Sequence, residues 1–107
     1  MTSDHVVVLT TTPSEEEGRK LAHELVEARL AACAQVSSPI RAVYRWKGEI
    51  YDEPEWQVWI KTASDKVDDL VEWLPEHHSG EVPELIVLPI TGGWSTYLNW
   101  IVAETRT

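Results

Sequence analysis

Positive charge is scarce in this 107-residue chain: 9 lysines and arginines stand against 18 aspartates and glutamates, leaving a net charge of -9. That balance repels polyphosphates and anionic lipid surfaces at long range, which sets nucleic acid and membranes aside as partners. The many carboxylates read first as a solvated surface and only second as a collector of cations. Cysteine is nearly absent. A single Cys33 excludes an internal disulfide and the disulfide-scaffold class, so a reducing cytoplasm is the expected compartment. No apolar run approaches the ~20 residues that cross a bilayer. The opening Met1-Thr2-Ser3-Asp4-His5 lacks the basic, then apolar, order of a signal peptide. Repeats, low-complexity tracts and interdomain linkers are missing too. Thr91-Gly92-Gly93-Trp94 has neither the lysine nor the spacing of a phosphate-cradling loop, and no Ser, His and Asp spacing suggests nucleophilic catalysis. What remains is a single domain over residues 1–107, with 43% hydrophobic residues to build its core.

Val6 to Thr12 is β-branched almost throughout and apolar on both faces in its first half, the composition of a strand covered on both sides, and Pro13 ends it. Ser14 followed by Glu17 has the spacing of a capping box, and Glu15, Glu16 and Glu17 set negative charge where a helix dipole favours it. Leu21, Ala22, Leu25, Ala28, Arg29 and Ala32 recur at helical spacing, which predicts a first helix to about Ala31. Ser64 is the expected N-cap of a second helix with Val67, Leu70, Val71 and Leu74 as its apolar stripe. Pro75 is expected to stop that helix, leaving His77 to Gly80 as a connection. Residues 81–90 read as a strand, and because Pro83 and Pro89 cannot donate to a ladder, an edge position is expected. Thr91-Gly92-Gly93 is a turn, and Trp94 to Glu104 forms a short C-terminal helix.

Between the helices lies Tyr44-Arg45-Trp46-Lys47-Gly48-Glu49-Ile50. Strand alternation puts Ala42, Tyr44 and Trp46 on one face and Arg41, Val43, Arg45 and Lys47 on the other. Apolar alternation resumes at Trp56, Val58 and Ile60, so these residues predict a long hairpin bending near Gly48. The element order is then strand, helix, strand, strand, helix, strand, with a terminal helix added. This is the split βαβ arrangement of an α+β, ferredoxin-like sandwich, with two helices on one face of a four-stranded antiparallel sheet. Its other face would expose more apolar surface than the few hundred Å² tolerated on a soluble monomer, and self-association through that face is expected.

Five segments in order carry a resemblance: Ala28-Arg29-Leu30-Ala31-Ala32-Cys33, Tyr44-Arg45-Trp46-Lys47-Gly48-Glu49-Ile50, Ile60-Lys61-Thr62, Glu81-Val82-Pro83-Glu84 and Tyr97-Leu98-Asn99-Trp100-Ile101. Together they resemble the CutA family of divalent-cation tolerance proteins over nearly the whole chain. The resemblance implies the ferredoxin-like fold, a tight homotrimer similar in architecture to PII-type signal proteins, and a link to tolerance of divalent cations, copper especially. It implies no catalytic activity. Tyr44, Trp46 and Trp100 are then the expected interface residues.

Cys33 matches the family's cysteine at the start of the second strand. It reads either as a small core residue or as a thiolate ligand for a soft metal such as Cu(I). His78 matches the histidine before the Glu-Val-Pro-Glu segment, and imidazole suits Cu(II) or Zn(II); Glu81, and with it Glu84, would complete a borderline site. The family's Pro-Tyr after this histidine is Ser79-Gly80 here, an asparagine is replaced by Gln35, and Trp94 follows Gly93 where the family carries Asn or Asp. Arg45 and Lys47 beside Trp46 are candidates to hold a phosphate or another small anion, against an ion-pairing role with neighbouring carboxylates. Three functions are compatible with these residues: a metal-binding or metal-responsive trimer for copper or another divalent cation, a PII-like sensor of a small ligand, and a structural trimer with incidental metal binding. The downstream protein partner is not legible in any of them.

Overall fold

The computed structural model describes residues 4–106. Strand β1 (His5–Thr12) leads into helix α1 (Glu15–Glu27), a hairpin of β2 (Cys33–Trp46) and β3 (Glu49–Ala63), helix α2 (Val67–His77), the short β4 (Ile86–Ile90) and helix α3 (Ser95–Glu104). The four strands form one antiparallel sheet in the order β2-β3-β1-β4. This is the ferredoxin-like arrangement, with β4 at an edge, where Pro89 is tolerated.

Ser14 caps α1 by accepting a hydrogen bond from the Glu17 backbone at 3.1 Å, and three glutamates fill the first turn. Leu21 and Leu25 on α1, and Leu70 and Leu74 on α2, pack with Val6, Val8, Val58 and Ile60 on one sheet face, all essentially without solvent contact. Each such aliphatic chain contributes on the order of 1.5–3 kcal/mol by leaving water. Gly18 brings α1 close to the sheet: a Cβ there would lie 2.9 Å from Thr12 Oγ1 and 3.1 Å from a Val36 methyl. Thr12 cannot swing away freely, because it is buried and its hydroxyl donates to the Ser14 carbonyl at 2.8 Å. Alanine in place of glycine gains about 1 kcal/mol at an exposed helical position. Gly18→Ala is expected to lower the urea midpoint instead, and a raised midpoint would refute this close-approach reading.

Several boundaries differ from those the sequence predicts. Helix α1 stops at Glu27, before Ala31, because Arg29 takes a left-handed conformation at φ 58 and the Leu30 and Ala31 amides turn back to the Leu25 carbonyl at 3.0 and 3.2 Å. This reversal delivers the chain to β2 and overrides the helical propensity of the alanines. Ser64 is not an N-cap. It opens a 3-10 turn (Ser64–Lys66) without a side-chain cap, and its amide donates to the Asp4 carbonyl at 2.9 Å. Pro75 does not stop α2, which continues to His77. The proline sits in the last turn, where only a short stretch of helix has to come after it. His77 reinforces that turn by donating Nδ1–H to the Trp73 carbonyl at 2.8 Å and stacking on the Trp73 ring at 3.7 Å between centroids. The last strand spans only Ile86–Ile90, and residues 78–85 run as an irregular loop.

The hairpin turns at Lys47 and Gly48, with φ of 49 and 83, the geometry of a two-residue turn whose twist matches its strands. Its arms outrun β1: the β3 register with β1 ends at Trp56, so Glu49 to Glu55 pair with β2 alone. The result is a two-stranded ribbon on a molecule 44 Å long and 28 × 25 Å across. A β-bulge lies between Val36 and Pro39, where Ser37 and Ser38 oppose Gln57, and Ser37 Oγ accepts from the Gln57 amide at 2.9 Å.

On the face away from α1 and α2, pairing lines up Ile86, Leu9, Trp59 and Gln35 in one row and Leu88, Val7, Lys61 and Cys33 in the next. Ile86 (45% exposed), Leu88 (39%) and Trp59 (37%) remain open to solvent in the single chain. Helix α3 reaches this face, since the Lys61 ammonium lies 5.8 Å from the centre of the Tyr97 ring.

Candidate functional site

A cleft of about 780 Å³ lies where the foot of the ribbon meets the loop after α2. Strand alternation beyond the bulge puts Tyr44 and Trp46 on the cleft side together with Tyr51, Glu53 and Glu55. Tyr44 and Tyr51 stack at 5.4 Å. Residues 78–84 form the opposite wall, held by three hydrogen bonds. His78 donates Nε2–H to the Thr11 carbonyl at 2.6 Å and accepts the Gly80 amide on Nδ1 at 2.8 Å; Ser79 Oγ donates to Glu17 Oε2 at 2.8 Å. The Lys47 ammonium is 3.3 Å from Glu81 Oε2 and 5.5 Å from the centre of the Trp46 ring. The face that Tyr44 and Trp46 present is therefore covered in part by the chain's own loop.

Four carboxylates line the walls, Glu53 and Glu55 on β3 and Glu81 and Glu84 on the loop, with Arg41 of β2 beside them. Desolvation pushes the Glu84 carboxyl above its ordinary value, and the neighbouring Glu55 charge adds to the effect. The Tyr44 hydroxyl is also raised, first by desolvation and then by the Glu53 carboxylate. For Glu84, a folded-state value above the unfolded one means stability that is fully present below the usual ~4.3 and is lost as pH rises through the raised value. Glu84→Gln is expected to flatten that decline and to exceed the parent protein in urea midpoint at pH 7 but not at pH 4. A midpoint that drops at pH 7 would show that the carboxylate is needed where it stands.

The candidate residues are not all brought together. His78 and Glu81 share the cleft with Tyr44 and Trp46, while Cys33 lies at the other end of the hairpin opposite Lys61. Thr11, to which His78 is bonded, pairs with Gln57, four β3 residues from Lys61, a separation of roughly 13 Å along the strand. Both His78 nitrogens are already committed within the chain. Among the described residues no group of three His, Cys, Asp or Glu side chains converges as a metal site. The candidate anion pair also divides: Arg45 stands exposed opposite Ile50 on the far face of the ribbon, whereas Lys47 occupies the turn and bends over Trp46. Trp100 lines a separate, smaller hollow of about 360 Å³ with Arg29 and Glu104. Arg29 Nη1 donates to the Glu104 carbonyl there at 3.0 Å. Glu53, Glu55 and Tyr51 are cleft-face residues that residue-type motifs do not reveal; their period-two spacing on a strand is the signal that would have found them.

A four-stranded split βαβ sheet, an overlong hairpin and an acidic cleft at its foot define an α+β domain of the ferredoxin-like class. The chain belongs to the CutA1 divalent ion tolerance protein family, whose profile matches residues 6–104. It is 39% identical over 103 residues to the divalent-cation tolerance protein CutA of Pectobacterium atrosepticum, covering 96% of this chain and 94% of that one. The chloroplastic CutA of Arabidopsis thaliana is 41% identical over 101 residues, covering 94% of this chain, which spans only 56% of that protein's length. Among solved structures, CutA1 from the psychrotrophic bacterium Shewanella sp. SIB1 superimposes with a TM-score of 0.94 at 31% identity, covering 100% of both chains. The Thermus thermophilus protein gives 0.90 at 39% identity, covering 95% of this chain and 99% of that one.

Proposed function

We propose that this protein assembles as a homotrimer that binds copper or another divalent cation and contributes to metal tolerance by sequestration or signalling, without catalysis. The observation that carries this reading is family membership across the chain: relatives that it matches over nearly their whole length are named divalent-cation tolerance proteins. The partly exposed row of Ile86, Trp59 and Leu88 supports assembly, because a soluble monomer seldom leaves a sheet face of this kind uncovered. In this reading Tyr44 and Trp46 stand at the rim of the seam, with Trp100 near its edge.

Among the described residues of one chain no complete ligand set is gathered, so the metal reading rests on ligands from more than one copy: Cys33 for a soft ion, and His78 with Glu81 for a borderline one. For His78 to ligate, one of its two hydrogen bonds must open. An unpaired thiol at Cys33 suits a reducing cytoplasm, which we assign as the compartment. Calorimetric titration of the metal-free protein with copper is expected to show binding tighter than about 1 mM. Cys33→Ser and His78→Ala, measured separately, assign the ligands. No heat above dilution in the parent protein would defeat direct binding, and a scattering mass of one chain would defeat the trimer.

A further inference from the structure

We infer that the loop after α2 opens about His78 as a hinge: the ring stays on β1, the Gly80 amide leaves Nδ1, and Nδ1, so uncovered, is the atom that His78 offers a cation. The last step rests on the metal reading of His78; the first two do not. The two hydrogen bonds fix the ring. The Thr11 carbonyl can only accept and the Gly80 amide can only donate, so Nε2 carries the proton and Nδ1 the lone pair. A neutral imidazole binds a metal through that lone pair, and a carbonyl on the opposite N–H is the usual partner that orients it.

The two bonds differ in what their loss costs. The bond to Thr11, 2.6 Å long, is partly buried and lies past the end of the β1–β4 ladder, which stops at Leu9 and Ile86. His78 there satisfies a strand carbonyl that β4 does not reach. The bond from Gly80, 2.8 Å long, is exposed, and water replaces it at little cost. Glycine is what lets this turn close: a Cβ at residue 80 would lie 3.1 Å from both Cε1 and Nδ1 of the ring. Ser79, bonded to Glu17 at 2.8 Å, holds the backbone just before the pivot, so the opening is confined to residues from Gly80 onward.

The test is amide exchange, with long-range proton–nitrogen spectra of the histidine rings, recorded on the assembled protein at one pH without metal and with zinc. Without metal, His78 should show the Nε2–H tautomer. With zinc, the Nδ1 signal should move and the Gly80 amide should lose protection, while the Nε2–H signal persists. Gly80→Ala crowds the ring, so the amide of residue 80 should exchange faster even without metal, and zinc should bind about twofold to tenfold tighter, the range of one net hydrogen bond. Gly92→Ala, where a Cβ meets nothing within 4 Å, should change neither. The hinge is overturned by the opposite tautomer, by zinc on Nε2, by zinc on Nδ1 with the Gly80 amide still protected, or by a Gly80→Ala amide that exchanges no faster than the parent's. Zinc that leaves every His78 signal in place, while Gly80→Ala speeds exchange as expected, removes the ligand step and with it the metal reading of His78, and supports the hinge alone.

Discussion

A Trp59→Asp variant is expected to run in light scattering as a single chain, at roughly a third of the mass of the parent assembly. Trp59 sits in the middle of the sheet face turned away from α1 and α2, between Leu9 and Gln35 in the pairing row. If that face is the seam, the substitution places an unpaired carboxylate in it once per subunit. An uncompensated buried charge costs about 3–5 kcal/mol, so three related copies lose on the order of 10 kcal/mol, enough to outweigh the apolar contact. Val71→Asp is the matched control, since Val71 lies on the outer side of α2 and is 42% exposed. That variant should remain assembled. A Trp59→Asp protein that keeps its parent's mass would move the seam to another surface, most directly the ribbon.

The second large effect is expected from Leu70→Ala. Leu70 is wholly buried between α2 and the sheet, in the cluster that holds Leu25, Val8 and Ile60. Removing its isobutyl group forfeits the transfer energy and leaves a cavity, a combined loss of about 2–5 kcal/mol. Against the total stability of about 5–15 kcal/mol that is usual for a folded chain, this is a large fraction. Val71→Ala, one residue on, should cost well under about 1 kcal/mol, because it gives up little burial and gains helix propensity. Urea midpoints at fixed protein concentration check the pair. Equal losses at the two positions would contradict the placement of α2 on the sheet.

How legible these features are in the amino-acid sequence depends on the kind of information each one needs. Leu21 and Leu25, Leu70 and Leu74, and Val58 and Ile60 announce helix and strand by period alone, and all six are core residues. Pro89 marks the edge strand because the missing donor is a local fact, while Pro83 falls in the loop before it. Helix ends are harder. Ala28 to Ala31 favour helix, and only the demand to enter β2 beside β3 puts Arg29 into a left-handed turn. Pro75 reads as a stop, but in a final turn it removes little, and the Trp73–His77 contact steadies the end of the helix beyond it.

The cleft is less legible still. Its loop wall depends on a bond from His78 to Thr11, 67 residues earlier, which no local pattern encodes. Lys47, assigned by strict alternation to the face opposite Trp46, escapes that rule by standing in the turn and not in the strand. Cys33 and His78, similar in their appeal as metal ligands, are separated by the hairpin register, which residue type does not reveal.

The bulge at Ser37 and Ser38 works as a phase shift between the two halves of β2. Before it, even-numbered residues such as Ala34 and Val36 pack toward the helices; after it, odd-numbered residues such as Arg41 and Val43 fall on that side of the strand. One extra residue therefore decides which of the ribbon's two chemistries meets the loop. Were the strand regular from end to end, the same amino acids would turn the basic side toward Glu81 and Glu84 and carry both aromatic rings to the opposite side. The ribbon's address is written in a residue count, so changes of length near Ser37 matter more to this protein than most changes of composition there.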